Sequence, residues 1–267
     1  MNDEHAPLAP RPVPLAVTVS GRASAQTLQL AQLRAVEWSV PFLPRGRLTP
    51  LQPLLEQAAA LLIFSDDEVV LSDGEGKLAF HQGLSRLRIK QMDAGQHPDH
   101  LLQVSRLQPG ESVLDCTLGL GSDALVAARA VGPKGRVVGL EKSFPLYTVI
   151  SEGLRRFDPG ERSCRIQIHH ADAALFLRDL PAGAFDCVVF DPMFDQPRRS
   201  HQSFDVLRKF ADYAPLTSEM LEDARRIAKR VVVKGRRYGG QLKALGLKQE
   251  KFSRTTTVGW ARVEGSG

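Results

Sequence analysis

The sequence predicts an α/β protein: a mainly parallel sheet covered by helices and closed by an antiparallel hairpin, with a small α/β unit in front of it. Three observations carry this reading. From about Leu101 short apolar runs alternate with helical runs, the pattern of a parallel sheet buried on both faces. Four successive apolar runs end in polar motifs, and in such a sheet the strand ends share one edge where ligands sit. Two β-rich runs close the chain, Gln249–Arg254 and Thr256–Val263, and suit an antiparallel pair at one edge.

Taken in order, residues 1–14 carry Pro7, Pro10, Pro12 and Pro14 among small residues, which blocks regular hydrogen bonding and reads as a disordered tail. Ala16–Val19 is the first strand. A helix from about Ser24 to Trp38 follows, with apolar Leu28, Leu30, Leu33 and Val36, and Pro41-Phe42-Leu43-Pro44 turns the chain. A second helix from about Leu51 to Ala60 leads into strand Leu61–Phe64, and Val69–Leu71 follows an acidic turn. These elements make a small N-terminal unit over residues 15–80. The domain over 81–267 has strands at Ser112–Asp115, Arg136–Leu140, Arg165–His169, Asp186–Phe190 and Val231–Lys234, which with the terminal hairpin make seven. Between them lie helices, among them Glu219–Arg230, where Met220, Ala224, Ile227 and Ala228 share one face.

Composition narrows the function classes. With 43% hydrophobic and 24% charged residues in 267, the chain can bury a full core. Its longest apolar stretch, Ala58–Phe64, is far short of the ~20 residues that cross a bilayer, and Met1-Asn2-Asp3-Glu4-His5 lacks the layout of a signal peptide. A cytoplasmic protein with no membrane partner is expected. Cys116, Cys164 and Cys187 are odd in number and lack ligand spacing, and His81, His169 and His170 show none either, so neither a disulfide nor a metal is expected. The net charge of +5 is modest, but residues 191–240 hold eleven Lys and Arg against seven Asp and Glu. A polyanion would dock there.

The first motif, Val113-Leu114-Asp115-Cys116-Thr117-Leu118-Gly119-Leu120-Gly121, ends a strand in a turn where Gly119 and Gly121 let backbone approach a ligand. A dinucleotide fingerprint wants a third glycine, and Ala124 stands there. Asp115 suits the cationic amino group of a methionine moiety, or else caps the loop; Ser122 and Asp123 serve a ligand or stabilise a helix start. Glu141, twenty residues after Gly121, stands where an acid takes two ribose hydroxyls. Asp172, in His169-His170-Ala171-Asp172, accepts from an adenine amine or caps a helix.

The discriminating motif is Asp191-Pro192-Met193-Phe194, directly after Cys187-Val188-Val189-Phe190. It resembles the Asp/Asn-Pro-Pro-Tyr/Phe signature of enzymes that methylate exocyclic base amines or amide nitrogens. Such a nitrogen is a weak nucleophile because its lone pair is delocalised. The Asp191 carboxylate and the Pro192 carbonyl can accept its two N–H bonds and take up developing positive charge, while Phe194 stacks on the base. The basic loop Gln196-Pro197-Arg198-Arg199-Ser200-His201 stands beside this pocket, and Lys234, Arg236 and Arg237 follow the last core strand; both are candidate phosphate contacts. Arg86, Arg88 and Lys90 could form an opposite wall. Arg225, Arg226, Lys229 and Arg230 are explained by the dipole of their helix without a ligand.

Leu114-Asp115-Cys116-Thr117-Leu118-Gly119-Leu120-Gly121-Ser122-Asp123-Ala124, Asp191-Pro192-Met193-Phe194 and Lys229-Arg230-Val231-Val232-Val233-Lys234 resemble the small-subunit ribosomal RNA guanine-N2 methyltransferases of the RsmJ type. The resemblance spans roughly Arg86 to Tyr238, and the chain as a whole looks closer to an uncharacterised bacterial branch. It implies the Rossmann-like fold of class I methyltransferases, S-adenosylmethionine as cofactor, and cofactor contacts from Asp115, Gly119, Glu141 and Asp172, to which Thr117, Gly121 and Asp123 of the first motif are added as candidates. It further implies target-amine handling by Asp191, Pro192 and Phe194, while the placement of the basic residues makes Arg198, Arg199, Lys234 and Arg236 the candidate substrate contacts. The partner implied is RNA, either ribosomal RNA or the small subunit. The competing readings are a DNA or protein-amide N-methyltransferase, a non-catalytic cofactor-binding ribosome-assembly factor, and a nicotinamide dehydrogenase, for which no catalytic constellation is visible.

Overall fold

A computed structural model describes residues 14–96, 99–192, 202–236, 240–252 and 258–266. The proline-rich tail up to residue 13, Met193, Phe194, Arg198, Arg199 and Arg237 lie outside the described residues. The chain divides into two compact units, Met1–Ala79 with His201–Val206, and Phe80–Ser200 with Leu207–Gly267.

The first unit holds β1 (Ala16–Val19), α1 (Ala25–Glu37), α2 (Gln52–Leu55), β2 (Leu61–Phe64), β3 (Val69–Ser72) and β4 (Lys77–Ala79) in one sheet of order β1-β2-β3-β4. β1 and β2 are parallel and the other pairs antiparallel. Ser24 caps α1 through the Thr27 N–H, and Asp66 Oδ1 accepts from the Ser24 N–H and hydroxyl and from the Thr27 hydroxyl. Two expectations change here. α1 buries the small residues Thr27, Ala31 and Ala35 and leaves Leu33 and Val36 exposed, because only short side chains let the helix lie close to the sheet. The helix expected from Leu51 to Ala60 closes after one turn, and the three-residue β4 was too short to show a period of two.

The second unit runs α3 (Gly83–Asp93), α4 (His100–Ser105), β5 (Ser112–Asp115), α5 (Ser122–Val131), β6 (Arg136–Glu141), α6 (Phe144–Arg156), β7 (Ile166–His170), α7 (Ala173–Asp179) and β8 (Phe185–Phe190). It continues with α8 (Gln202–Phe210, whose start groups with the first unit), α9 (Ser218–Ile227), β9 (Ala228–Arg236), α10 (Gly240–Ala244), β10 (Gln249–Phe252) and β11 (Val258–Glu264). The seven-stranded sheet has the order β10-β11-β9-β8-β5-β6-β7, and β11 alone runs against its neighbours. Central strands read as continuous apolar runs because helices cover both faces: Val113, Leu114, Cys187, Val188, Val189, Phe190 and Val231–Val233 are all buried. At the edge, β7 alternates half-buried Ile166 and Ile168 with exposed Gln167 and His169, as suits a strand paired on one side.

Residues 228–230, expected in a helix, open β9 instead. Lys229 pairs with Asp186 (2.7 Å) and Arg230 with Glu111 (2.5 Å), so the helix dipole accounts only for Arg225 and Arg226. The chain leaves β5 toward β6 and β7 on one side and returns through β8 and β9 on the other. The carboxyl ends of β5 and β8 therefore flank the topological switch point, where this architecture opens a crevice.

Candidate active site at the sheet switch point

Asp115 closes β5 and bends back on its own turn, with its Oδ1 accepting the Thr117 N–H at 3.0 Å. Gly119 (φ 50°) and Gly121 (φ 74°) then take left-handed backbone, and Gly121 N-caps α5 in place of the serine expected to do so, while Asp123 stands in the first turn as expected. Leu118 anchors this turn over Gly139 of β6, where a Cβ would come within 2.6 Å of its Cδ1. Glu141 reaches across from the end of β6: Oε2 accepts the Gly119 N–H (3.1 Å) and Oε1 the Ser143 N–H (2.8 Å). Each oxygen keeps a further lone pair for a ligand hydroxyl.

The first and fourth motifs are tied together. Thr117 Oγ1 accepts the Asp191 N–H at 2.6 Å, so the Gly-rich turn positions the backbone of the Asp-Pro motif at the end of β8. The Asp191 side chain meets a cation as well: Lys234 Nζ on β9 lies 2.5 Å from Oδ2 and 3.7 Å from Asp123 Oδ2. Asp123 Oδ1 in turn accepts from Arg88 Nη1 on α3 at 2.5 Å, and Arg88 forks onto Asp99, the N-cap of α4, at 2.7 and 3.1 Å. The Lys234 ammonium also lies 5.2 Å from the Trp260 ring centroid on β11.

Lys234, read from the sequence as a phosphate contact, and Arg88, read as part of an opposite wall, are thus held by internal carboxylates, and each is mostly covered. Sequence reasoning missed both roles, and also Asp99, because the partners lie 11 to 111 residues apart and helix periodicity does not mark them. Arg236 stands half-buried at the end of β9. Asp172 does cap α7, through the Ala174 N–H at 2.8 Å, and its other oxygen pairs with Lys142 at 3.1 Å. An adenine amine there would share the carboxylate with that lysine.

Electrostatics follow from burial. Burial, with Asp123 nearby, pushes the Asp115 carboxyl up to about 8, and burial pushes Glu141 up to about 7 against the N–H donors of Ser143 and Gly119. Burial also raises Asp191, with Lys234 opposing and Asp123 adding to the shift. Asp123 moves the other way, because Lys234 and Arg88 outweigh its burial. Around the switch point the acids Asp99, Asp115, Asp123 and Asp191 face two cations, an arrangement that favours a positively charged ligand. Among the described residues no group of His, Cys, Asp and Glu could hold a metal ion, and no helix is long and apolar enough to cross a membrane.

A sheet with one antiparallel strand beside its last core strand, and acids and a Gly-rich turn at its switch point, defines a class I S-adenosylmethionine-dependent methyltransferase. The chain belongs to the family described as putative SAM-dependent methyltransferases, whose model matches residues 54–256. It is 32% identical over 223 residues to the uncharacterized protein YpiP of Bacillus subtilis, covering 81% of this chain and 86% of that protein. It is 37% identical over 138 residues to ribosomal RNA small subunit methyltransferase J of Laribacter hongkongensis, covering 49% of this chain and 48% of that relative. The crystal structure of a SAM-dependent methyltransferase from Neisseria gonorrhoeae aligns with a TM-score of 0.60 at 20% identity, over 94% of this chain and 96% of the other, a likeness of fold.

The residues present fit this cofactor. S-adenosylmethionine brings an ammonium and a sulfonium, which suit a site with excess carboxylate, and a ribose diol, which suits the bidentate Glu141. When bound it supplies an electrophilic methyl group.

Proposed function

We propose that this methyltransferase acts on nitrogen, on an exocyclic amine of an RNA base, with guanine N2 of small-subunit ribosomal RNA as the leading target. The observation that carries the reading is the Asp191-Pro192 motif at the end of β8, its backbone held by Thr117 and its carboxylate by Lys234. In this reading one Asp191 oxygen and the Pro192 carbonyl accept the two N–H bonds of the amine. They turn its lone pair toward the methyl group and take up the positive charge that develops on nitrogen, so transfer is direct and in line. Phe194 stacks on the flipped base, and Arg198, Arg199 and Arg236 contact phosphates. Asp115 takes the methionine ammonium and Glu141 the ribose hydroxyls, with Gly119 and Gly121 giving close backbone approach; Asp172 and Asp123 complete the cofactor's surroundings.

The match to a ribosomal RNA methyltransferase over half of each chain supports RNA as substrate. The same Asp-Pro geometry would serve a DNA amine or a protein amide, so the test offers all of them. Methyl transfer from radiolabelled S-adenosylmethionine is measured to small subunits, naked ribosomal RNA, DNA and total protein from a strain lacking this enzyme. Label in RNA, mapped to an exocyclic amine, is expected. Label confined to DNA or protein overturns the substrate, and no label anywhere, with cofactor bound, favours a non-catalytic assembly factor.

A further inference from the structure

Among the described residues, five alternating charges run through the domain from the reaction centre outward: Asp191, Lys234, Asp123, Arg88 and Asp99, contributed by the end of β8, by β9, α5 and α3, and by the cap of α4. We propose that Lys234 is a positioning residue for methyl transfer, its ammonium pinning Asp191 Oδ2 so that Oδ1 is left to accept from the target amine, with Arg88 holding Asp123 as the second wall of the lysine's seat. The proposal rests on the reading of Asp191 as the amine's acceptor.

Geometry supports this in three ways. Lys234 Nζ is the one cation in contact with Asp191 among the described residues, and 28% of the Asp191 side chain stays exposed, so the carboxylate is held and still reachable. The lysine is fixed on its other sides, by Asp123 at 3.7 Å and by the ring of Trp260, its register partner on β11, at 5.2 Å. Asp123 would itself need a counter-ion, and Arg88 supplies it at 2.5 Å while anchored by its fork on Asp99. Without Arg88, Asp123 would draw the lysine away from Asp191.

The groups that face Asp191 set the sign of every perturbation. Lys234 on β9 and Arg88 on α3 favour its ionised form, and Asp123 on α5 disfavours it. Asp115 at the end of β5 interacts with it as a like charge. Removing Lys234 leaves a largely covered carboxylate uncompensated, which pushes it toward the neutral acid, a weaker acceptor that cannot take up developing positive charge. Removing the Asp123 charge acts the opposite way, since the lysine then serves Asp191 alone.

The test reads Asp191 directly, in the full chain labelled with 13C at aspartate Cγ and titrated by NMR, the resonance assigned with Asp191→Asn. Lys234→Met is expected to raise the Asp191 midpoint by about one pH unit or more, Arg88→Met by less, and Asp123→Asn to lower it, with Lys234→Arg restoring it. With small subunits as acceptor, Lys234→Met at pH 7 loses roughly tenfold or more in kcat while the cofactor KM changes little. An unmoved midpoint in folded Lys234→Met overturns the proposal. So does a midpoint that fails to fall in Asp123→Asn, the arm that remains if the methionine variant does not fold. Full methyl transfer by Asp191→Ala would sink the functional reading instead, while leaving the titration result standing.

Discussion

Asp115 and Glu141 are acids whose surroundings oppose their own charge, and this has a measurable sign. Their carboxyls rise from 3.8 to about 8 and from 4.5 to about 7 on folding. The folded chain therefore binds these protons more tightly than the unfolded chain. The stability they contribute is complete below their unfolded values and is lost as pH climbs through about 7 and about 8. Asp115→Asn keeps an oxygen for the Thr117 N–H and removes the titration. In cofactor-free protein it is expected to melt about 5 °C above the parent at pH 8.5 and above it by much less at pH 5, by scanning calorimetry. An equal difference at both pH values would mean that the proton plays no part. In the proposed function the same residue trades stability for binding, since there an uncompensated acid is matched only once the cofactor's ammonium arrives.

At the scale of elements, the site is made by links between strand ends rather than by any one motif. Thr117 follows β5 yet its hydroxyl holds the backbone of Asp191, which follows β8. Thr117→Val keeps shape and removes that acceptor, leaving the Asp191 N–H without its partner at a cost of about 1–3 kcal/mol. The expected result is a lower melting temperature and a kcat reduced by about tenfold, with Thr117→Ser close to the parent in both. A valine variant with unchanged kcat would show that the turn does not position Asp191. The join between α9 and β9 teaches a related lesson. Glu219–Arg230 has helical periodicity throughout, but Ala228 is already paired with Phe185 of β8, because sheet pairing and burial decided the boundary over local propensity.

For the whole molecule, the basic surplus after residue 191 overstates the charge available to a polyanion. Arg226 donates to the carbonyls of Leu177, Arg178 and Leu180, while Lys229, Arg230 and Lys234 each face an acid. If RNA is the partner, the affinity for ribosomal RNA should fall with salt, and Arg236→Ala should flatten the slope of log K against log salt by about one phosphate contact, roughly 0.7. Arg226→Ala should lower stability and leave that slope alone. Filter binding across a salt series separates the two. Equal slopes for Arg236→Ala and the parent would remove Arg236 from the RNA surface.

The sequence by itself determined the alternation of strands and helices, the four motif-bearing strand ends and the closing hairpin, because buried parallel strands must be continuously apolar and ligand-binding turns must be polar and glycine-rich. It also marked Asp115, Gly119, Glu141 and Asp191 as the residues of one crevice, since strand ends in such a sheet share an edge. It misread residues whose partners are distant. Leu33 and Val36 have the spacing of a core face and stand exposed, while Lys234 and Arg88 look like surface cations and are internal counter-ions. Only the tertiary structure decided those roles. A charge reads the same in sequence whether it faces water or a carboxylate, and its energy depends on which of the two it meets.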